Sequence, residues 1–399
     1  HFSPVAYDEE VNLPPNVVVR YRDAGHILGS SMLEIYVTEK GKTTKLLFSG
    51  DLGQPNQPII KDPTFIEEAD FIITESTYGN RVHEHYEKED KLAEIINTTV
   101  ERGGNIIIPS FAVGRTQTIL YYLHKLLKAK RIPDIPVIID SPLAISATDI
   151  FLHNTQDYDS EASDLLHKEK ENPLALPQLR FSKTSDESKA LNHLDEPAII
   201  ISASGMCDAG RILHHLKHNL WHSQSSILFV GYQAQGSLGR RLLEGAKKVK
   251  ILGEEISVKA EIHNLEGFSA HADQGQLLRW LAHVKQEPAA VFLVHGEADM
   301  SEPFARLIQE QLGLASYIPN YTDTAVIEGR EWSIEESNFV LIDPIAKQLH
   351  DYLQLVEKEY GDYKKNLEIT VSADKSKLPE VLRRLEKLQA YMKKRFIVK

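Results

Sequence analysis

Five short motifs place a histidine or a carboxylate beside glycine or serine, close to an apolar run. The clearest is Asp51, which follows the apolar run 45–48 in the segment Ser-Gly-Asp-Leu-Gly. A strand that ends in a glycine turn presents a carboxylate where backbone can approach closely, and such a carboxylate can ligate a metal ion. Turn aspartates are also common for structural reasons alone. The other four motifs, around His26, Glu75, His271 and His295, favour a functional site.

The composition excludes several classes of protein. The 399 residues are 42% hydrophobic, which is enough for two globular domains, and the formal net charge is −12. Such an acidic chain is not a nonspecific nucleic-acid coat, although metal ions and a local basic patch could still meet phosphates. One cysteine, Cys207, excludes a disulfide framework and predicts a reducing compartment, which we take to be the cytoplasm. No apolar run is long enough to span a bilayer, so no membrane partner is expected.

The elements that must position these motifs change in type along the chain. Strands joined by short connections are predicted at 17–22, 33–37, 45–48 and 71–74. From about residue 83, strands and helices alternate, which predicts a parallel α/β layer. Its strands are expected at 105–108, 136–139, 198–202 and 226–230, and its helices at 87–102, 115–130 and 209–221. Strand patterns return at 256–262 and 290–294, with a helix at 273–284 between them.

Three turns in the alternating region follow predicted strands and contain polar residues. They include Arg115, the segment Asp140-Ser141-Pro142, and Ser204 followed by Arg211. In open α/β sheets, ligands bind beyond the carboxyl ends of strands, where arginine can meet phosphate. The alternative is that these are helix-starting turns with exposed arginines. His83 and His85 have a metal-ligand spacing, but no nearby set of ligands accompanies them, so we expect an exposed pair.

The order of the motifs resembles that of a known family. The matching segments are Gly25-His26-Ile27-Leu28-Gly29-Ser30, Ser49-Gly50-Asp51, Glu75-Ser76-Thr77-Tyr78-Gly79, Phe111-Ala112-Val113-Gly114-Arg115, Ser202-Ala203-Ser204-Gly205-Met206, Phe268-Ser269-Ala270-His271 and Val294-His295-Gly296-Glu297. Over residues 17–330 the sequence is similar to metallo-β-lactamase-fold proteins with a β-CASP insertion. These are RNA-processing nucleases that include the cleavage subunit of the eukaryotic pre-mRNA 3′-end machinery and its bacterial and archaeal relatives.

The resemblance implies an α/β fold: an αββα metallo-β-lactamase sandwich, lacking its N-terminal part, with an inserted parallel β-CASP domain. We expect the metallo-β-lactamase domain to occupy residues 1–82 and to return at 251–330, around an insertion at 83–250. Residues 331–399, beyond the resemblance, are predicted to form a helix–strand–helix extension. Its first helix spans 343–360, its strand 367–371, and its last helix begins at Pro379.

The resemblance also implies roles for the motif residues. His26 would ligate one zinc ion and His295 a second, with Asp51 bridging both, and the two metals would share a hydroxide that attacks the phosphodiester. Glu75 would orient His271, which donates a proton to the leaving 3′ oxygen. The implied substrate is RNA, with Ser269, Arg115, Ser204 and Arg211 as substrate-binding residues, and we consider a homodimer as the assembly.

One family signature is missing. The motif H-x-H-x-D-H, which supplies four ligands upstream of His26, is absent, and only His1 precedes His26 among the histidines. We expect that the chain lacks this front part, rather than that the site has decayed, because the later motifs are intact. The leading hypothesis is therefore a zinc-dependent ribonuclease. The alternatives are a non-catalytic RNA-binding subunit and a small-molecule metallo-hydrolase.

Overall fold

The computed structural model describes residues 3–83, 88–265, 267–336, 374–383 and 385–386. The chain divides into two compact units, one of residues 1–319 and 325–335, the other of residues 320–324 and 336–399. The predicted helix 343–360 and strand 367–371 lie outside the described residues. Helical backbone at 378–383 agrees with the predicted helix start at Pro379.

The strands and helices are bounded as follows. The strands are β1 (Glu10–Leu13), β2 (Val17–Asp23), β3 (Ser31–Glu39), β4 (Lys42–Phe48), β5 (Phe71–Glu75), β6 (Ile106–Pro109), β7 (Val137–Ile139), β8 (Leu179–Phe181), β9 (Ile199–Ser202), β10 (Ser226–Phe229), β11 (Lys248–Ile251), β12 (Glu254–Ser257), β13 (Glu261–Asn264), β14 (Ala290–Val294), β15 (Ser316–Tyr317), β16 (Thr324–Glu328) and β17 (Glu331–Glu335). The helices are α1 (Lys88–Glu101), α2 (Arg115–Lys128), α3 (Pro142–His153), α4 (Ser160–His167), α5 (Ser185–Ala190), α6 (Ile212–Asn219), α7 (Leu238–Leu243), α8 (Gln274–Leu281) and α9 (Ala298–Leu312).

The first sheet is mixed, with strand order β1-β2-β3-β4-β5-β14-β15. Strands β1 to β4 are antiparallel to one another, whereas β4, β5, β14 and β15 are parallel. Because the carboxyl ends of β4, β5 and β14 meet at one edge, Asp51, Glu75 and His295 are brought to that edge. The β2–β3 turn reaches it too, since Leu33 near the start of β3 pairs with Phe48 at the end of β4.

Apolar residues cover both faces of this sheet at its parallel end. On one face the sheet packs against α8 and α9 through a fully buried cluster that includes Leu47, Ile72 and Phe304. On the other face, the rings of Phe292 and Trp332 pack edge to face, with centroids 5.3 Å apart, which fixes the β16–β17 hairpin. Burial of the Phe292 side chain, which is 5% exposed, stabilises the fold by about 1.5–3 kcal/mol.

The second sheet is parallel throughout, in the order β13-β10-β6-β9-β7-β8. Its central strands, Ile106–Pro109 and Ile199–Ser202, are buried at every position. Apolar clusters on both faces explain why these strands read as continuous isoleucine runs rather than as alternating ones. This is the alternating region predicted from the sequence.

Two predicted boundaries need correction. Strand β13, at Glu261–Asn264, pairs with β10 and so belongs to the second sheet, although the sequence placed the return to the first domain at residue 251. Strand β17 belongs to the first compact unit, whereas the sequence began the C-terminal extension at residue 331. Both errors have one cause, because a strand pattern does not specify its pairing partner. Among the described residues, no helix combines the length and apolar character needed to cross a membrane.

Candidate metal and catalytic site

Three of the predicted metal ligands converge at the edge of the first sheet. His295 Nδ1 lies 3.0 Å from Asp51 Oδ1, and His26 Nε2 lies 4.0 Å from Asp51 Oδ2. The two oxygens of one carboxylate therefore face two different imidazoles. The side chains of Asp51 and His295 are 41% and 59% exposed, so the group opens outward on one side.

The turn that carries His26 is built by local hydrogen bonds. Asp23 Oδ1 accepts from the Gly25 N–H, and Ser30 Oγ accepts from the His26 N–H at 3.1 Å. Gly25 has φ +62°, and a Cβ there would lie 2.6 Å from Pro63, so only glycine fits. These contacts hold the imidazole in a mostly buried position, with 14% of its side chain exposed.

The His26 ring suits a metal ligand chemically. Burial, together with the charge of His271, holds the pKa of His26 well below its ordinary value. The ring is therefore neutral near pH 7, which is the form that binds metals. Its buried Nδ1 has no hydrogen-bond partner among the described residues, and Nε2 is the nitrogen that faces Asp51.

A carboxylate–histidine pair adjoins the three ligands. His271 Nδ1 lies 3.0 Å from Oε2 and 3.3 Å from Oε1 of Glu75. Glu75, at the end of β5, is buried and also accepts the Leu52 N–H. Burial by itself lowers the pKa of His271, but the hydrogen bond and charge of Glu75 outweigh it and raise the pKa above its usual value. The pair can therefore hold a proton on the imidazole near neutral pH.

The loop carrying His271 is held from behind by a residue whose role the sequence did not reveal. His83 Nε2 lies 3.0 Å from the His271 carbonyl oxygen, and the His83 N–H donates to Asp273 Oδ2 at 3.0 Å. Because a carbonyl can only accept, Nε2 of His83 carries the hydrogen. His83 is thus half-buried in a positioning contact, instead of being exposed beside His85, which lies outside the described residues.

A cleft of about 990 Å³ opens over these residues. Residues of the first sheet's edge, including His26, His271 and His295, line one side, and Phe111, Arg115 and Tyr232 from the loops of the second sheet line the other. Ser269 also lines it. Its size is at the upper end of the roughly 300–1,000 Å³ typical of ligand pockets.

Arg115 reaches this cleft without an acidic partner. Its Nη1 donates to the Val230 carbonyl at 3.0 Å, and no ion pair involves it within the described parts of the chain. Burial lowers the pKa of Arg115 to about 10, so the guanidinium remains charged near neutral pH. A partly buried cation without a carboxylate is suited to bind an anionic ligand.

The structure does not bring Arg211 and Ser204 to the cleft. Arg211 Nη1 lies 2.7 Å from Asp140 Oδ1, and its Nη2 donates to the Lys183 carbonyl. Ser204 Oγ accepts the backbone N–H of Asp208 and is occupied within its own turn. The substrate-binding roles predicted for these two residues therefore need correction, since their polar atoms are used by the fold.

The donors present match part of a metal centre. His26, Asp51 and His271 offer ligand atoms within 4.8 Å of one another, and so do Asp51, Glu75 and His295. Imidazole nitrogen and carboxylate oxygen form the donor set that zinc accepts. Glu75 engages only Nδ1 of His271 and leaves Nε2 available as a ligand atom. His26 and His295 each face one oxygen of Asp51, and these three residues match the ligands expected from the sequence. Three donors fit such a centre but do not complete two zinc coordination spheres, which usually hold four ligands each.

Comparisons with known proteins match two parts of the chain to family models. The Beta-Casp domain family matches residues 116–242, and the family described as Zn-dependent metallo-hydrolase RNA specificity domain matches residues 255–319. Ribonuclease TTHA0252 of Thermus thermophilus is 37% identical over 309 residues, covering 77% of this chain and 69% of that protein.

Two archaeal proteins are similar over a comparable stretch. An RNase J-like protein of Methanocaldococcus jannaschii is 33% identical over 317 residues, covering 78% of this chain and 72% of that protein. The transcription termination factor FttA of Thermococcus kodakarensis is 30% identical over 332 residues, covering 81% of this chain and 51% of the factor. The chain thus spans most of the first two relatives and about half of the third.

Proposed function

Because the chain belongs to the metallo-β-lactamase-fold β-CASP family of RNA nucleases, we propose that His26, Asp51 and His295 form its metal centre and that Glu75 and His271 form its acid. By that membership the protein is a metal-dependent hydrolase that acts on RNA. The observation that carries the assignment is the single carboxylate of Asp51 set between two imidazoles, next to a second carboxylate–histidine pair.

We propose zinc as the metal, and two ions as its number. His26 would hold one ion and His295 the other, with Asp51 shared between them. When bound, zinc lowers the pKa of a water molecule to near neutrality and stabilises negative charge on phosphodiester oxygens. The matched family described as Zn-dependent supports the choice of metal.

His271 supplies the proton for the leaving 3′ oxygen. Glu75 occupies Nδ1 of the ring, so Nε2 is the nitrogen free to hold a proton for the substrate. The raised pKa of His271 keeps that proton available near neutral pH. Arg115 and Ser269, which both line the cleft, would hold the RNA next to this nitrogen.

The test combines metal analysis with RNA hydrolysis. The zinc-loaded wild-type protein should cleave RNA, and Asp51→Asn should lose bound zinc and cleavage together, because the shared carboxylate is removed. Asp134→Asn, an exposed acid away from the cleft, is the matched control and should retain both. Full zinc content in Asp51→Asn would show that the metal is held elsewhere.

The two alternatives give different outcomes in the same experiment. A non-catalytic RNA-binding subunit would bind RNA without cleaving it when loaded with zinc, whereas a small-molecule hydrolase would cleave a simple phosphodiester or ester but not RNA. The contact of Glu75 with His271 favours the nuclease, since a binding subunit has no need of an acid.

Two further proposals concern the setting of the protein. The one cysteine, Cys207, is buried and unpaired, which supports a cytoplasmic location. We also propose a homodimer. Cell fractionation and light scattering, respectively, measure these properties, and a membrane-bound fraction or a monomer mass would contradict them.

A further inference from the structure

The wall of the cleft formed by the second sheet's loops is aromatic and apolar. Phe111 is 46% exposed and Tyr232 is 42% exposed, and both line the cleft together with Leu143 and Met206. Exposed apolar patches of this kind mark binding surfaces. Arg115 is the only lysine or arginine among the described residues that line this cleft. An RNA held chiefly through its phosphates would need more cations than one.

The Phe111 ring is supported from one side by backbone. A Cβ built on Gly205 would lie 3.0 Å from Cδ2 and 3.1 Å from Cε2 of the ring, so the ring rests against this glycine. The Phe111 carbonyl is fixed as well, because it accepts from Thr116 Oγ1 at 2.8 Å. The ring thus packs against backbone on one side, and its exposed part lines the cleft.

A single buried amide joins this support to the loop of Tyr232. Gln233 is 4% exposed, and its Nε2 donates to the Gly205 carbonyl at 2.9 Å. The carbonyls of Gly231, at 3.2 Å, and Tyr232, at 3.1 Å, share the second hydrogen of the same nitrogen. The positions of the two aromatic residues are thus coupled through one side chain. Such preorganised rings lose little freedom when a flat ligand stacks on them.

We propose that Phe111 and Tyr232 are a stacking platform for unpaired nucleobases, and that the RNA is held in the cleft mainly by its bases, with Arg115 taking a phosphate. This rests on the proposed ribonuclease function. Bases reach such rings only when they are unpaired and unstacked from their neighbours, so the platform selects a single-stranded segment at the site of cleavage.

The platform has a consequence for salt dependence. Each phosphate neutralised on a single strand contributes about 0.7 to the slope of log affinity against log salt. In the metal-free protein, where Arg115 is the one lysine or arginine that lines the described cleft, a short oligonucleotide should bind with a slope of magnitude about 1 or less. Binding dominated by phosphate contacts would give a slope several times steeper.

The test uses short RNAs that carry an abasic ribose at successive positions around the cleaved bond. In the zinc-loaded protein, one or two of these positions should raise KM by about 10-fold or more, since base–aromatic stacking is worth roughly that factor. Phe111→Ala should raise KM for intact RNA by a similar factor while kcat changes little. Phe111→Trp should restore KM. Phe181→Ala is the matched control, because Phe181 is similarly exposed but lies on β8 and does not line the cleft.

The decisive experiment combines the abasic RNA with the Phe111→Ala variant. If a base stacks on Phe111, the abasic RNA should be no worse than intact RNA for Phe111→Ala, because each change removes the same contact. Independent, multiplying losses would overturn the platform, as would an unchanged KM in Phe111→Ala with RNA still cleaved. RNA that binds with this pattern but is not cleaved by the zinc-loaded wild-type protein would sustain the platform and overturn the proposed reaction instead.

Discussion

Each sheet of the molecule carries a carboxylate–histidine pair at a strand end, and the two pairs differ in what surrounds them. Glu75 and His271 meet at 3.0 Å beside the cleft, and the His271 side chain is 21% exposed. Asp140, which follows β7, meets His215 at 2.6 Å, and both side chains are buried, at 0% and 1% exposure. The same two chemical groups are therefore accessible to a substrate in the Glu75–His271 pair and inaccessible in the Asp140–His215 pair.

The partners of the buried pair explain its different use. Asp140 also contacts Arg211 at 2.7 Å and accepts a hydrogen bond from the Ser188 hydroxyl at 2.6 Å, so both oxygens of the carboxylate have partners. Burial alone would raise the pKa of Asp140, but the hydrogen bonds of His215, Ser188 and Arg211 outweigh it and hold the pKa well below its usual range. A carboxylate satisfied in this way joins α5, α6 and β7. The other nitrogen of His215, Nδ1, is buried without a partner among the described residues, whereas Nε2 of His271 belongs to a ring that lines the cleft.

The largest effect should follow from removing His271, the histidine of the pair beside the cleft. His271→Ala should lower RNA cleavage by about 10²–10⁴, the usual contribution of general acid catalysis, while zinc content and thermal stability stay near wild type. Glu75→Gln should lose less, because the amide can still orient the ring but does not stabilise its charge.

Metal analysis of the same variant separates two roles for this ring. His271 also belongs to a possible ligand group with His26 and Asp51. Loss of zinc from His271→Ala would identify His271 as a ligand, and would leave the proton to come from another donor.

The next largest effect concerns the stability that the buried pair of Asp140 and His215, here called the closed pair, gives to the fold. Asp140→Asn should lower the free energy of unfolding by about 3–5 kcal/mol, because it leaves the Arg211 guanidinium without a compensating charge and removes an acceptor from His215. Denaturant unfolding measures this, and the kcat of the protein that remains folded should be unchanged. Asp164→Asn is the control, since Asp164 forms an exposed pair with Lys168 on one helix and should cost at most about 1 kcal/mol. A fall in kcat without a fall in stability would mean that the closed pair takes part in the reaction.

Arg115 and Arg211 also differ in this way, since one faces the cleft and the other is bound within the fold. Arg115→Met should raise KM for RNA by about 10- to 100-fold with little change in thermal stability, since its guanidinium faces the cleft without an acid partner. Arg211→Met should lower the melting temperature and leave KM alone, because its guanidinium is bound to Asp140. If both variants raise KM equally, Arg211 also contacts RNA and its ion pair is not its only role.

His83 offers a finer test of how the open pair is positioned. His83→Phe should lower kcat by about 10-fold, since it removes the donor to the His271 carbonyl, a loss of the size seen for outer-shell partners. His83→Gln keeps a donor and should recover most of the rate. Zinc content should be the same in both variants. Equal rates in the two variants would show that the packing of the ring, and not its hydrogen bond, is what matters.

The strands that carry Asp51, Glu75 and His295 could be predicted from local pattern, but their parallel pairing could not. That these residues share one site was expected from the resemblance of their motifs to a known family. The sequence could not distinguish Arg115 from Arg211, since each follows a glycine after a buried strand. The difference arises from Asp140, which is 71 residues from Arg211 in sequence and is brought to it by folding.

Other features were hidden for the same reason. The partner of β13 is β10, more than thirty residues earlier, and pairing of parallel strands leaves no mark in the local sequence. The roles of His83 and Gln233 depend on hydrogen bonds from their side chains to the carbonyls of His271 and Gly205, which no residue pattern encodes. Long-range contacts thus decide which of several similar polar residues serve the site and which serve the fold.

The smallest effect expected is the pH dependence of stability, and the two pairs should show it in separate windows with opposite signs. The pKa of His271 is raised in the folded protein, because the Glu75 contact outweighs burial, so the folded state binds the proton more tightly than the unfolded state. Its contribution to stability is full below the unfolded histidine pKa of about 6.5 and is lost as pH rises through the folded value.

The pKa of Asp140 is lowered, so its contribution is full above the unfolded aspartate pKa of about 3.9 and is lost as pH falls toward the folded value. Unfolding measured across pH should therefore show a small loss of stability as pH rises above about 6.5 that disappears in Glu75→Gln, and an acid loss below about pH 4 that weakens in Asp140→Asn. If Asp140→Asn loses as much stability at low pH as the wild type, other carboxylates cause that loss and the Asp140–His215 pair does not.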